Sequence, residues 1–259
     1  MATNLEPQPL SADQHGSLRI RDDARIEFAA RQHVLLIRAT EIGLAAAAFP
    51  VFLNRHGTSG AWLFSAMTSF IPGSNLFVRD QQWEATYLPT FLQTYPVFLV
   101  PREPGSNDLV PAISGEDSAF STETGTALYD NNGSPSLELT QIEKALRADF
   151  EKDKQSRAFA EKLVELELHK AVDIVVSLES GQTQTIRGLH TIDEERLRTL
   201  DDAITLDLQQ RGYLMAIHAM LVSMGQVNAL VQRHAAASDD RIKNVRIESA
   251  RDPGAAPAH

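Results

Sequence analysis

The stretch VLLIRATEIGLAAAAFPVFLNRHGTSGAWLFSAM (Val34–Met67) contains three short apolar runs, divided by one helical segment and one turn. Val34-Leu35-Leu36-Ile37, Val51-Phe52-Leu53 and Ala61–Met67 are too short for buried helices. They carry β-branched and aromatic residues, so each predicts a strand. Between the first two, Glu41–Ala48 predicts a short helix, opened at Ala39 or Thr40 with an acid in its first turn and closed by Pro50. Gly57-Thr58-Ser59-Gly60 reads as a plain turn. Strands this apolar require a sheet covered on at least one face.

Toward the N-terminus, Ser17–Phe28 alternates roughly and reads as a strand or hairpin, preceded by a flexible, proline-bearing segment over residues 1–17. Toward the C-terminus, Asn75-Leu76-Phe77-Val78 and Val97-Phe98-Leu99-Val100 predict further strands, with a turn at Arg79-Asp80-Gln81-Gln82. From Thr140 to His234 the pattern turns mainly helical. Thr140-Gln141-Ile142-Glu143 and Thr191-Ile192-Asp193-Glu194 have capping-box spacing. Ile142, Leu146 and Phe150 share a helical face; Phe159, Leu163 and Leu166 form a second stripe. Val172–Leu178 and Thr183–Leu189 flank Glu179-Ser180-Gly181-Gln182 as a β-hairpin. A helix with Leu197, Leu200, Ile204 and Leu208 on one side ends at Gly212, and a last helix runs from Tyr213 through Val231. Residues 235–259 lack periodicity and read as a disordered tail. The expectation is an α+β chain: an N-terminal mixed or antiparallel sheet part with short helices over residues 18–139, then a mainly helical part containing a β-hairpin over 140–234.

The chain has 259 residues, 34 acidic against 24 basic side chains and a formal charge of -10. That balance disfavours nucleic acid and anionic lipid as non-specific partners. With no cysteine, thiol nucleophiles and thiolate metal sites are excluded. The longest apolar stretch, Ile42–Leu53, is too short to span a bilayer, and the start lacks the basic and apolar regions of a secretory signal. A cytoplasmic location is the default expectation, with export by a signal-free route left open.

The sequence carries no dinucleotide-binding or phosphate-binding glycine motif, no HExxH helix and no GxSxG elbow. Its eight histidines, among them His190 in an expected loop and His218 beside the apolar stripe of the last helix, show no i,i+4 pair, so neither a metal site nor a cofactor is expected. The segment from Asn75 to Tyr95 is the most distinctive. Asn75, Arg79, Trp83, Tyr87 and Tyr95 put aromatic rings beside polar groups, the composition of a peptide- or sugar-binding platform, although aromatics more often serve burial.

Glu41 followed by alanines into Phe49-Pro50-Val51-Phe52, then Asn75-Leu76-Phe77-Val78, Trp83, Tyr87-Leu88-Pro89 and Tyr95-Pro96, form one set of blocks. Gly125-Thr126-Ala127-Leu128-Tyr129-Asp130 and Gly188-Leu189 with Ile192-Asp193-Glu194-Glu195, Leu208, Gly212-Tyr213-Leu214 and Ser223 form another. Together, over about residues 34–234, they resemble the SapC family. The chain departs from that pattern at Ser74, where an acid is common, and at Gln93-Thr94, where basic residues are common. The family takes its name from genes linked to bacterial surface-layer formation, and some members neighbour flavin-dependent halogenases and outer-membrane receptors. The resemblance therefore implies an accessory or binding protein of envelope biology, partnered by another protein or an envelope component, and assigns no catalytic residue. The alternative is an enzyme acting on a peptide or saccharide near Trp83 and Tyr87.

Overall fold

A computed structural model describes residues 7–103, 105–114 and 118–250. In chain order the elements begin with β1 (Pro7–Pro9), α1 (Ala12–His15), β2 (Arg19–Ile20), α2 (Ala24–Ala30), β3 (Val34–Ile37), a 3-10 turn (Ala39–Glu41), α3 (Ile42–Ala45), β4 (Val51–Arg55) and β5 (Trp62–Met67). Next come β6 (Val78–Arg79), β7 (Gln82–Trp83), α4 (Thr90–Thr94), β8 (Phe98–Pro101), β9 (Leu109–Ser114), β10 (Phe120–Ser121), β11 (Thr126–Ala127) and α5 (Leu137–Glu165). The chain closes with β12 (His169–Leu178), β13 (Thr183–Ile192), α6 (Glu194–Arg198), α7 (Asp202–Gln210), α8 (Tyr213–Ser223), α9 (Gln226–Ala237) and β14 (Ile242–Ser249). Helices combine with antiparallel sheets, so the class is α+β.

The contacts divide the chain into two units. One comprises Met1–Arg31, Val78–Glu84 and Leu88–Glu151. It contains the small sheets β1-β9-β8 and β10-β2-β11 and the β6–β7 hairpin. Val97, Ile113, Leu128 and Tyr129 pack there against Leu139 and Ile142 of α5. A second apolar group is built on Ala24, Tyr95 and Ala119, with the Tyr95 ring stacked on Phe28 at 4.0 Å.

The other unit comprises Gln32–Phe77, Ala85–Tyr87 and Lys152–His259. Its six-stranded sheet has the order β14-β12-β13-β4-β5-β3. Val51, Phe52 and Leu53 of β4 are all buried, which explains a strand that is apolar without alternation. The Phe64 ring of β5 stacks on Phe159 of α5 at 5.2 Å, and Phe159 meets Tyr213 of α8 at 4.6 Å. Buried Ser223 ties α8 to the sheet. Its Oγ accepts from the Val51 N–H (3.0 Å) and donates to the Met220 carbonyl (2.6 Å).

Several local expectations give way to tertiary structure. Residues 7–17 hold β1, paired with β9, and α1; in Ser17–Phe28 only Arg19–Ile20 is extended, and Phe28 lies on α2. Extended structure begins at Val78 rather than Asn75. The two stripes lie on one continuous helix, α5, which ends one residue before Leu166. Ser136, not Thr140, caps its start, its Oγ accepting from Leu139 N–H at 3.2 Å. Thr191 lies in β13, and Asp193 caps α6 instead, accepting from Arg196 N–H at 3.0 Å. The helix expected from Leu197 through Leu208 is interrupted between α6 and α7, and the last helix is broken between α8 and α9. His190 lies on β13 rather than in a loop, and His218 is exposed, bonded through Nδ1 to the Leu214 carbonyl.

The expected disordered tail is corrected over most of its length. α9 reaches Ala237, and β14 pairs antiparallel with β12 from Val172↔Ser249 to Leu178↔Ile242. A distant strand supplies the backbone partners of β14, which no local periodicity announces. Residues 251–259 lie outside the described residues.

Candidate functional site

The five residues singled out from sequence fall in different places. Asn75 is buried and its side chain accepts from the Phe77 N–H at 2.9 Å, a local turn-forming role. Arg79 and Trp83 lie on the β6–β7 hairpin, Arg79 exposed and Trp83 half-buried. Tyr95 is buried in the apolar group with Phe28. Asn75 and Tyr87 belong to the larger unit; Arg79, Trp83 and Tyr95 belong to the smaller.

Tyr87 leads to a polar cluster of the larger unit. Its hydroxyl donates to the carboxylate of Glu41, which is only 5 % exposed. The other carboxylate oxygen of Glu41 accepts from the Arg38 N–H at 2.7 Å, closing the 3-10 turn. The Arg38 guanidinium pairs with Asp153 of α5, whose second oxygen takes Arg157 Nε at 2.7 Å. One turn on, Ser156 Oγ accepts from the Ala39 N–H at 2.8 Å. Buried charges need such partners, because an ion without them carries the full desolvation cost. The cluster therefore fixes the 3-10 turn and α3 against α5.

That fixed wall borders a cleft of about 580 Å³. Ala39, Thr40, Gly43 and Leu44 form one side, Gln155 and Phe159 of α5 the floor, and Arg211, Gly212, Tyr213, Met215 and Ala216 the far side. Leu44 is 61 % exposed and Met215 76 % exposed, so two large apolar side chains stand in solvent on this face. Arg211 is the charged member of the lining. Its Nε donates to both carboxylate oxygens of Asp207 at 2.9 Å, a contact that raises its pKa. A cleft of this size, mainly apolar with a few polar groups at its rim, has the form of a small-molecule or peptide-segment site. The sequence pointed to Glu41, Tyr87, Gly212 and Tyr213 here as family-like blocks, and to Phe159 as part of a helical stripe. The available signals for the rest were Gly43 inside a short helix and Met215 on a helix apolar nearly all round.

A second cluster lies on the sheet of the same unit. The Trp62 ring sits 4.8 Å from His190 and 5.2 Å from His169, and the two imidazoles are 5.3 Å apart. Both Nδ1 atoms and Thr191 Oγ1 are buried and lack a hydrogen-bond partner among the described residues. Burial, and next the neighbouring His169, hold His190 below the usual imidazole pKa. Among the described residues no three His, Cys, Asp or Glu side chains are grouped to hold a metal ion, and no single helix is long and apolar enough to cross a membrane.

Comparison with known proteins adds family but no activity. The chain is 29% identical over 198 residues to an uncharacterized 98.6 kDa protein of Orgyia pseudotsugata multicapsid polyhedrosis virus. The match covers 70% of this chain and 21% of the viral protein, so the chain spans about a fifth of that relative. No solved structure matches. The SapC family profile matches residues 10–230, which takes in β4, the Glu41–Tyr87 pair, the cleft and the β12–β13 hairpin. On that match, over most of its length, the chain belongs to the SapC family.

Proposed function

We propose that this protein is a non-catalytic accessory or binding protein of bacterial surface-layer or envelope biology, and that its ligand or partner segment enters the cleft between α3, α5 and α8. The observation that carries the reading is the cleft itself: about 580 Å³, walled by the 3-10 turn and α3 that the Arg38–Asp153 pair holds against α5, and flanked by exposed Leu44 and Met215. Large apolar side chains left in solvent beside a concave surface mark a place where something binds. Family membership supports the envelope link, since the family is named for surface-layer genes.

The test is a thermal-shift screen of the purified chain against peptides, saccharides and envelope lipids. A true ligand at a hundredfold excess over its Kd raises stability by about 2.7 kcal/mol. That gain is expected to vanish in a Leu44→Asp, Met215→Asp double variant of unchanged circular dichroism. Steady turnover of any panel compound would sink the non-catalytic reading.

A second reading, an enzyme acting on a peptide or saccharide, draws support at Tyr87, whose hydroxyl is bonded to a buried carboxylate. Such a pair has the chemistry of a proton-transfer site. Turnover abolished by Tyr87→Phe would favour it over the binding reading.

A further inference from the structure

The lining of the cleft narrows the ligand. Its apolar surface comes from Ala39, Leu44, Phe159, Met215 and Ala216, a strip that suits a chain or flat ring rather than a sugar. Its charge is a cation, Arg211, in a chain whose formal charge is -10. Asp207, one turn back on α7, engages Arg211 through Nε, as the hydrogen bonds show. This holds the guanidinium in place, Tyr213 of the cleft lining also interacts with it, and the side chain stays 54 % exposed, where a second carboxylate can meet it. The Thr40 hydroxyl and Gln155 amide also line the cleft, and neither side chain has a hydrogen-bond partner among the described residues.

Gly43 supplies the remaining feature. A Cβ built there meets no atom within 4 Å, so the helix presents bare backbone to open space on the cleft wall. Nothing in the fold requires a glycine for packing at that position, and its absence of a side chain keeps the cleft open.

We infer that the cleft takes an amphipathic carboxylate, its acyl or aryl body along Leu44, Phe159 and Met215 and its anionic head at the guanidinium of Arg211. This rests on the cleft being the binding site proposed above. The apolar body supplies most of the affinity, because Asp207 offsets part of the cation's pull; the head supplies selectivity.

The experiment is calorimetric titration of the full chain with decanoate, decanol and decylamine, alongside displacement of anilinonaphthalene sulfonate fluorescence. Decanoate is expected to bind roughly tenfold tighter than decanol, a difference of about 1.4 kcal/mol, and decylamine weakest. Arg211→Gln is expected to bring decanoate down to the level of decanol. Gly43→Phe, which fills the cleft, is expected to abolish binding of all three; Gly43→Leu serves if the larger ring disturbs folding. Decanol or decylamine binding as tightly as decanoate overturns the carboxylate assignment and leaves the cleft reading standing. Decanoate binding untouched by both Gly43 variants overturns the assignment and removes the cleft as the site. Absence of binding by all three also overturns the assignment, and peptide or saccharide hits lost in Gly43→Phe would then sustain the proposed function alone.

Discussion

At the residue scale, the informative positions are polar groups inside the larger unit. Glu41 and Ser223 both belong to family-like blocks, yet their sequence neighbourhoods do not disclose what they do. Glu41 receives Tyr87 and closes the 3-10 turn, while Ser223 satisfies the backbone of a central strand. The histidines make a pH prediction. Burial lowers the pKa of His33, and burial together with His169 lowers that of His190. For a base whose folded pKa lies below its unfolded value of 6.5, the unfolded chain binds the proton more strongly. The associated stability is thus complete above about pH 6.5 and is lost as pH falls through the lower folded values. Urea unfolding between about pH 7.5 and 5.5 should show a declining midpoint, and His190→Leu should flatten that decline. An unchanged slope in the variant would remove His190 as a contributor.

At the element scale, ends and breaks are set by backbone geometry that the sequence shows unevenly. Gly212, left-handed at φ 75, separates α7 from α8 as its residue type suggests. α5 ends by the same device without a glycine. Glu167 takes φ 54, with Glu167 N–H bonded to Val164 and Leu168 N–H to Leu163, so no residue type announced that end. Gly125 is the most demanding position. At φ 102, an added Cβ would lie 2.1 Å from the Ile20 carbonyl oxygen, inside the β10-β2-β11 sheet. Gly125→Ala should therefore destabilise by about 2–3 kcal/mol, seen as a lower urea midpoint. A neutral result would show that β2 and β11 can separate freely.

At the scale of the whole molecule, the unexpected contributor is β14, the edge strand of the six-stranded sheet. It pairs with β12 from Val172 to Leu178, and the Ala250 N–H extends the contact to the Ala171 carbonyl at 3.0 Å. His234 Nε2 bonds the Asp240 carbonyl at 2.9 Å, and Ser180 N–H donates to the Asp240 carboxylate at 3.0 Å, so Asp240 ties the connection both to α9 and to the β12–β13 turn. A chain ending at Ser238 exposes the backbone of β12 as a new edge. It should show a lower melting midpoint and more concentration-dependent association on size exclusion than a chain ending at Ala250, which keeps β14. Equal behaviour of the two truncations would mean that β14 adds little.

By itself, the sequence determined what depends on neighbours along the chain. The apolar runs of Val34–Met67 became β3, β4 and β5; Gly181 made the turn of the β12–β13 hairpin; Gly212 ended α7; and the spaced blocks identified the family. Each is encoded within a few residues, through side-chain period or a special φ. Only the tertiary structure decided that the hairpin joins β4 in one sheet, that residues 242–249 form an edge strand, and that Asn75 and Tyr87 lie in a different unit from Arg79, Trp83 and Tyr95. It also decided that Thr40, Gln155 and Arg211, far apart in sequence, border one cleft. Those outcomes depend on which distant surfaces satisfy each other's apolar area and backbone hydrogen bonds, a choice made in three dimensions and written in no local stretch of the chain.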